Sequence, residues 1–318
     1  MGRIALIGAT GAVGQAIAAV LREQGRAYRV VGRSETSLQK TFGADSLAEI
    51  RTWNADAESA RAALEGVESA IYLVGVPYDH FELHPQLMRA TLEGAIAAGV
   101  KRLLLIGTVY PYGLPRTGTV DESHPRDPHA FNGKMRKEQE DLLLAAHGAG
   151  IETCVLRFPD LYGPGMEKSY LTGQFANAPQ GKRSTMIGPV DVRHEWAFIP
   201  DCARVAVRVL DEPRAYGMFW NYAGPGEITE REFSDKIYAA CGKKPNYLVV
   251  NKTVLQLFGL FNPEMRKFAE MNYLMSDPVI MNDGRLRSLL GELPKTSYDE
   301  GIRLTLEGQA KMAASHGA

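Results

Sequence analysis

Apolar residues fall in short, nearly unbroken runs along the first half of the chain, separated by helix-like stretches. The runs RIALIGA (3–9), YRVVG (28–32), AEIRTW (48–53), ESAIYLVG (68–75), VKRLLLIGT (100–108) and IETCVLRF (151–158) read as strands. Continuous Ile, Leu and Val, rather than strict alternation with polar residues, belongs to strands covered on both faces. Between them, 12–25, 36–42, 56–66, about 80–99 and 134–149 read as helices. The segment 56–66 begins with Asp56 and Glu58 and ends on Gly66, as the helix dipole and C-cap preferences require. This alternation predicts the α/β class, with a doubly wound parallel sheet. After Tyr162 the pattern degrades. Residues 163–190 are rich in Gly, Pro, Gln, Asn and Ser and predict loops over a ligand site, whereas 195–213 returns to strand then helix. GMFWNYAG (217–224) predicts one more strand and EITEREFSDKIYAACG (227–242) an amphipathic helix. The expected division is a nucleotide-binding domain of 1–165 plus 191–225 and a smaller C-terminal substrate-binding lobe of 166–190 plus 226–318.

The first strand runs into G-A-T-G-A-V-G, which spaces Gly8, Gly11 and Gly14 as G-x-x-G-x-x-G with a helix directly after. Glycines permit a tight turn and close backbone approach to a pyrophosphate, and the helix N-terminus supplies N–H donors. Thr10, Ala12 and Val13 complete this expected phosphate loop, and the context makes the domain Rossmann-type. Rossmann units that select NAD(H) carry a carboxylate at the end of the second strand for the ribose 2′-OH. Here that place is Gly32, followed by Arg33 and Ser34, with Lys40 on the next helix. A missing carboxylate and a nearby guanidinium suit a 2′-phosphate, so NADP(H) is expected ahead of NAD(H).

Composition narrows the classes. Lys+Arg (36) nearly balance Asp+Glu (37), for a net charge of −1, leaving no basic footprint for nucleic acid or an anionic membrane. No segment approaches the ~20 apolar residues of a spanning helix. The glycine-punctuated N-terminus does not read as a signal peptide. Cys154, Cys202 and Cys241 lack C-x-x-C spacing, which predicts reduced thiols and a cytoplasmic protein.

Five segments together resemble the extended short-chain dehydrogenase/reductases, the NAD(P)-dependent epimerase/dehydratase group. They are G-A-T-G-A-V-G (8–14), D-A-E-S (56–59), L-L-L-I-G-T-V-Y-P-Y-G (103–113), L-R-F-P-D-L-Y-G-P-G (156–165) and W-A-F-I-P-D-C-A (196–203). The resemblance spans nearly the whole chain and implies a doubly wound sheet with a C-terminal substrate lobe. It places Thr108 on the hydroxyl that hydrogen-bonds a substrate oxygen. It places Lys134 on the lysine of Tyr-x-x-x-Lys, beside both the cofactor and the reacting group. The tyrosine is missing: Ala130 stands four residues before Lys134, with Phe131 next to it. Proton transfer of this kind contributes ~10²–10⁴-fold, so the departure bears on catalysis. Tyr110 and Tyr162 are the leading substitute acids, with Tyr112 and His129 behind them. The implied cofactor contacts also include Asn54, Val74, Gly75 and Phe158, and the implied substrate contacts are Val76, Tyr78, Tyr110 and Asp160. Asp160 stands where many nucleotide-sugar enzymes carry Asn, and a carboxylate there repels a diphosphate.

No metal is expected. His80 and His84 have i, i+4 spacing but lack a third ligand. Asp201 is expected to N-cap a helix, and the aromatic and Met residues of 253–275 to pack the lobe. The leading functional expectation is an NADP(H)-dependent oxidoreductase acting on a small carbonyl or hydroxyl compound. The alternatives are a sugar or nucleotide-sugar epimerase/dehydratase and a non-catalytic NADP(H) sensor. A homodimer is expected by family analogy alone.

Overall fold

In the computed structural model, which describes residues 2–167, 169–250 and 270–316, the apolar runs form one sheet. Its strands are β1 (Arg3–Ile7), β2 (Tyr28–Gly32), β3 (Ala48–Thr52), β4 (Val67–Tyr72), β5 (Arg102–Thr108), β6 (Glu152–Phe158) and β7 (Phe219–Asn221). They lie in the order β7-β6-β5-β4-β1-β2-β3, and every pairing is parallel. The chain starts mid-sheet, winds outward to β3, then crosses back to β4 and winds the other way. Where the winding reverses, between β1 and β4, the strand ends open a crevice suited to a ligand.

Helices α1 (Ala12–Glu23), α2 (Glu35–Phe42), α3 (Ala57–Leu64), α4 (Leu83–Ala97), α5 (Phe131–Ala145) and α6 (Ile199–Asp211) cover the two faces. The period of two in β1 divides them. Ile4 and Leu6 enter a core with Ile17 and Leu21 of α1, Leu38 of α2 and Val205 of α6. Ala5 and Ile7 enter a second core with Leu64 of α3, Met88 and Leu92 of α4 and Leu143 of α5. Each fully buried large aliphatic side chain there contributes about 1.5–3 kcal/mol. Slipping β1 by one residue would exchange the two sets.

Arg157 of β6 and Glu140 of α5 form a buried ion pair, with Arg157 Nε donating to Glu140 Oε1 at 3.0 Å. The guanidinium also faces the rings of Tyr112 and Phe219, 4.5 and 3.9 Å from their centroids. This pair fixes α5 against the sheet.

Asp56 caps α3 as expected, its carboxylate accepting from Ser59 N at 2.8 Å. Asp201 does not cap. It is the third residue of α6, and its Oδ2 instead accepts from Thr296 N at 2.7 Å, joining the helix to the C-terminal part of the chain. Residues 163–190 are not all loop. They hold a helix, Thr172–Asn177, and a strand, Ser184–Ile187, which pairs in parallel with Tyr247–Val250. Elements this short barely complete one hydrophobic period, so the Gly and Pro around them dominate the pattern. A separate apolar cluster there contains Tyr162, Phe175, Trp196, Phe233 and Tyr238. Most of the 253–275 segment lies outside the described residues. All three cysteines are free. Among the described residues, no helix is long and apolar enough to cross a membrane.

Candidate cofactor and active site

A cleft of about 620 Å³ lies along the carboxyl ends of the strands, on both sides of the β1–β4 reversal. Gly8, Thr10, Gly11, Ala12, Val13 and Gly14 form its floor. Gly8 has φ +84°, and a Cβ there would sit 2.9 Å from the Val74 backbone, so both conformation and crowding select glycine. A Cβ on Gly14 would lie 2.4 Å from Ala9 O, whereas one on Gly11 would meet nothing within 4 Å. Gly14 therefore lets α1 close on the turn, and Gly11 leaves the space above it open. Gly11 is the N-cap of α1 and offers no side-chain acceptor. The first-turn N–H groups stay available to an anion.

On the β2 side the cleft is walled by Gly32, Arg33 and Trp53. Trp53 is almost fully buried, and its indole donates to Asp56 O at 3.1 Å. Ser34 is occupied as the N-cap of α2, its Oγ accepting from Ser37 N. Asn54 is not among the lining residues, and its N–H is taken by Ser59 Oγ. On the other side Leu73, Val74, Gly75 and Val76 lead to Phe81, His84, Ile106, Thr108, Tyr110 and Arg136. Gly165, Met166 and Glu167 reach over from the loop after β6.

Thr108 ends β5, and its hydroxyl accepts from Tyr110 N at 3.3 Å, which fixes the turn carrying Tyr110 into the cleft. The Tyr110 hydroxyl is hydrogen-bonded to that of Tyr78. Burial raises the pKa of both phenols, Tyr78 to about 12 and Tyr110 well above its ordinary value. Both therefore stay protonated and can donate at neutral pH. Asp160, whose Oδ2 lies 2.7 Å from His194 Nε2, adds negative charge that acts on both tyrosines.

Seven expected site residues are not on the cleft wall: Ser34, Asn54, Tyr78, Lys134, Phe158, Asp160 and Tyr162. Lys134 is exposed and does not line the cleft. Helix α5 starts at Phe131, three residues before the expected start, and its inward face carries Asn132, Arg136, Gln139 and Glu140. At ~100° per residue, Lys134 is turned well away from both Asn132 and Arg136. Tyr162 packs among Phe175, Phe198, Phe233 and Tyr298 in the lobe cluster and is absent from the cleft wall. Phe158 is core, edge-on to Tyr222.

Arg136 and His84 were not marked as site residues by the sequence, yet both are buried and line the cleft. Hydrophobic periodicity does not find Arg136, because the buried side chains of α5 before Leu143 are polar. His80 is exposed and near Asp79 and Glu82, apart in role from His84. Among the described residues, no group of three His, Cys, Asp or Glu side chains is placed to hold a metal.

A family model described as the NAD dependent epimerase/dehydratase family matches residues 4–221. Protein YeeZ of Escherichia coli (strain K12) is 26% identical over 170 residues, 53% of this chain and 56% of that protein. A dTDP-glucose 4,6-dehydratase of Actinoplanes sp. is 26% identical over 153 residues, 48% of each. The chain thus aligns with about half the length of these relatives. Among solved structures, the dTDP-glucose 4,6-dehydratase DesIV from Streptomyces venezuelae, with NAD and TYD bound, superposes with a TM-score of 0.82 at 19% identity, covering 98% of both chains. UDP-N-acetylglucosamine 4-epimerase from Bacillus cereus gives 0.78 at 18% identity, covering 98% of this chain and 97% of that one. At such identities the structural likeness is one of fold.

Proposed function

The chain belongs to the NAD dependent epimerase/dehydratase family, and from that premise we propose that it uses a nicotinamide dinucleotide to transform a sugar or nucleotide-sugar substrate. The observation that carries this reading is that one cleft holds both an uncapped glycine phosphate loop and, farther along its wall, Thr108 and Tyr110. The open space over Gly11 fits a pyrophosphate. Gly8–Gly14 would hold the phosphates, Arg33 and Trp53 the adenosine half, and Val74–Val76 with Arg136 the nicotinamide half. When bound, the cofactor would supply reversible hydride transfer. Thr108 would orient the substrate oxygen, and Tyr110, backed by Tyr78, would exchange a proton with it.

The relatives support NAD as the dinucleotide, since several neighbouring structures carry it. Arg33 beside Gly32, with no carboxylate ending β2, favours NADP(H) as the second reading. The expectation of a simple reductase for small carbonyls likewise becomes second. Asp160 supports it, because its carboxylate near Tyr78 and Tyr110 disfavours a diphosphate. We further propose that 166–190 plus 226–318 form the substrate lobe and that the chain is a homodimer.

One experiment separates these readings. The protein is titrated with NAD(H) and NADP(H), then incubated with nucleotide-sugar and simple carbonyl panels. Epimerase/dehydratase action gives product without net change in nicotinamide absorbance, and a reductase consumes it stoichiometrically. Thr108→Ala should abolish turnover while dinucleotide affinity is kept. Tight dinucleotide binding with no product from either panel would overturn the catalytic reading.

A further inference from the structure

One feature of the cleft wall is charged and unneutralised. Arg136 is buried, and it donates from Nη2 to Ile106 O at 3.1 Å. Its Nη1 lies 3.3 Å from His84 Nδ1. Arginine has no lone pair to offer, so His84 Nδ1 accepts and its proton sits on Nε2. Burial first, and then the Arg136 charge, push His84 down to about 2. The pair thus carries one positive charge and no negative one.

Carboxylates nearby are committed or screened. Glu140 acts on Arg136 electrostatically, but its oxygens are bound by Arg157 and approached by Arg126. Asp160 is held by His194, and Glu167 stands exposed at the rim. Among the described residues, no carboxylate forms an ion pair with Arg136. Its contacts with His84 and Ile106 use two of its five N–H donors.

The position of this charge follows from the fold. With phosphates on the Gly8–Gly14 loop and the adenosine half toward Arg33 and Trp53, the other half must run past Val74 toward Thr108 and Arg136. The oxidised nicotinamide ring is cationic and the reduced ring is neutral. A fixed buried charge interacts far more strongly with such a change than one in water.

We propose that Arg136, buttressed by His84, sets the redox-state preference of this cleft, favouring the reduced dinucleotide over the oxidised one. The inference rests on the dinucleotide reading above. Arg136 acts as a specificity-determining residue toward a ligand and takes no part in bond making. Retention of the reduced form would suit an enzyme that must return its electrons to the same substrate.

The test measures dissociation constants of the whole chain for NAD⁺, NADH and ADP, with the NADP pair in parallel. The wild type should bind the reduced form on the order of tenfold more tightly than the oxidised form. Arg136→Gln, which keeps an N–H donor but no charge, should bring that ratio close to one with ADP affinity unchanged. Arg136→Lys should keep the preference. Equal affinities for both redox states in the wild type would overturn the proposal even if no variant folds. So would an unchanged ratio in Arg136→Gln, or a parallel loss of ADP binding, which marks a purely structural role. A wild type that binds ADP and no dinucleotide would overturn the reading on which the proposal rests, a result distinguishable from equal affinities.

Discussion

Gly11→Ala and Gly14→Ala add the same methyl group three residues apart, and the cleft geometry makes them fail in different ways. At Gly14 the new Cβ would lie 2.4 Å from Ala9 O and 2.7 Å from Ala9 Cα, against 3.4–4 Å for an ordinary contact. Both obstacles are backbone, so no rotamer relieves them, and α1 must move off the turn that follows β1. Overpacking of this kind costs about 1–3 kcal/mol. Gly11 has φ −71° and ψ 164°, a conformation open to any L-residue, and its Cβ would meet nothing within 4 Å. The folded chain without ligand should therefore tolerate Gly11→Ala, because a gain of up to about 1 kcal/mol from a less flexible unfolded state roughly offsets the poorer N-cap that Ala makes. The same methyl group would occupy the space assigned to the pyrophosphate. A loss of about 10–100-fold in dinucleotide affinity, roughly 1.4–2.8 kcal/mol, is expected. Denaturant unfolding without ligand and fluorescence titration with NADH measure the two effects separately. Gly14→Ala should lower both stability and affinity, and Gly11→Ala affinity alone. Unaltered affinity in Gly11→Ala would refute the placement of the phosphates, and undiminished stability in Gly14→Ala the packing argument.

Two further outcomes concern the scaffold. Arg157→Met should cost about 3–5 kcal/mol in denaturant unfolding, because it leaves the buried Glu140 carboxylate without its main counter-charge; a loss under about 1 kcal/mol would refute the role of this pair in holding α5. Glu230, donated to by Gln174 Nε2 at 3.1 Å, is raised to about 8 chiefly by burial. Its folded pKa exceeds the ordinary 4.5, so the folded state binds the extra proton, and stability falls as pH rises between 4.5 and about 8. At full coupling the slope is on the order of 1 kcal/mol per pH unit. Glu230→Gln should flatten that window in unfolding titrations, and an equally steep variant would disprove the assignment.

Much of the sheet was legible in the chain because strands covered on both faces must be apolar at nearly every position. β1, β2, β4, β5 and β6 emerge as runs of Ile, Leu and Val, and the phosphate loop emerges because its backbone admits only glycine at Gly8 and Gly14. Both are local constraints. The doubly wound parallel class was less local, resting on the rule that helices cover both faces of a parallel sheet, and the strand order came only with the tertiary structure. The reacting end of the cleft was hardly legible. Lys134 follows the motif's spacing from an assumed helix start, but the rotation of α5 is set by what packs against it. Before Leu143 that buried face carries Asn132, Arg136, Gln139 and Glu140, so hydrophobic periodicity does not orient the N-terminal turns that hold Lys134 and Arg136. Tyr162 was equally ambiguous, since an aromatic residue after β6 suits a lobe core or a cleft, and contacts from Phe175, Phe198 and Phe233 made it core. The sequence by itself determined the strands and the glycine loop, since burial and backbone conformation act residue by residue. Only tertiary structure decided which polar side chains face the ligand, because a polar side chain can be buried only where distant segments supply its partners.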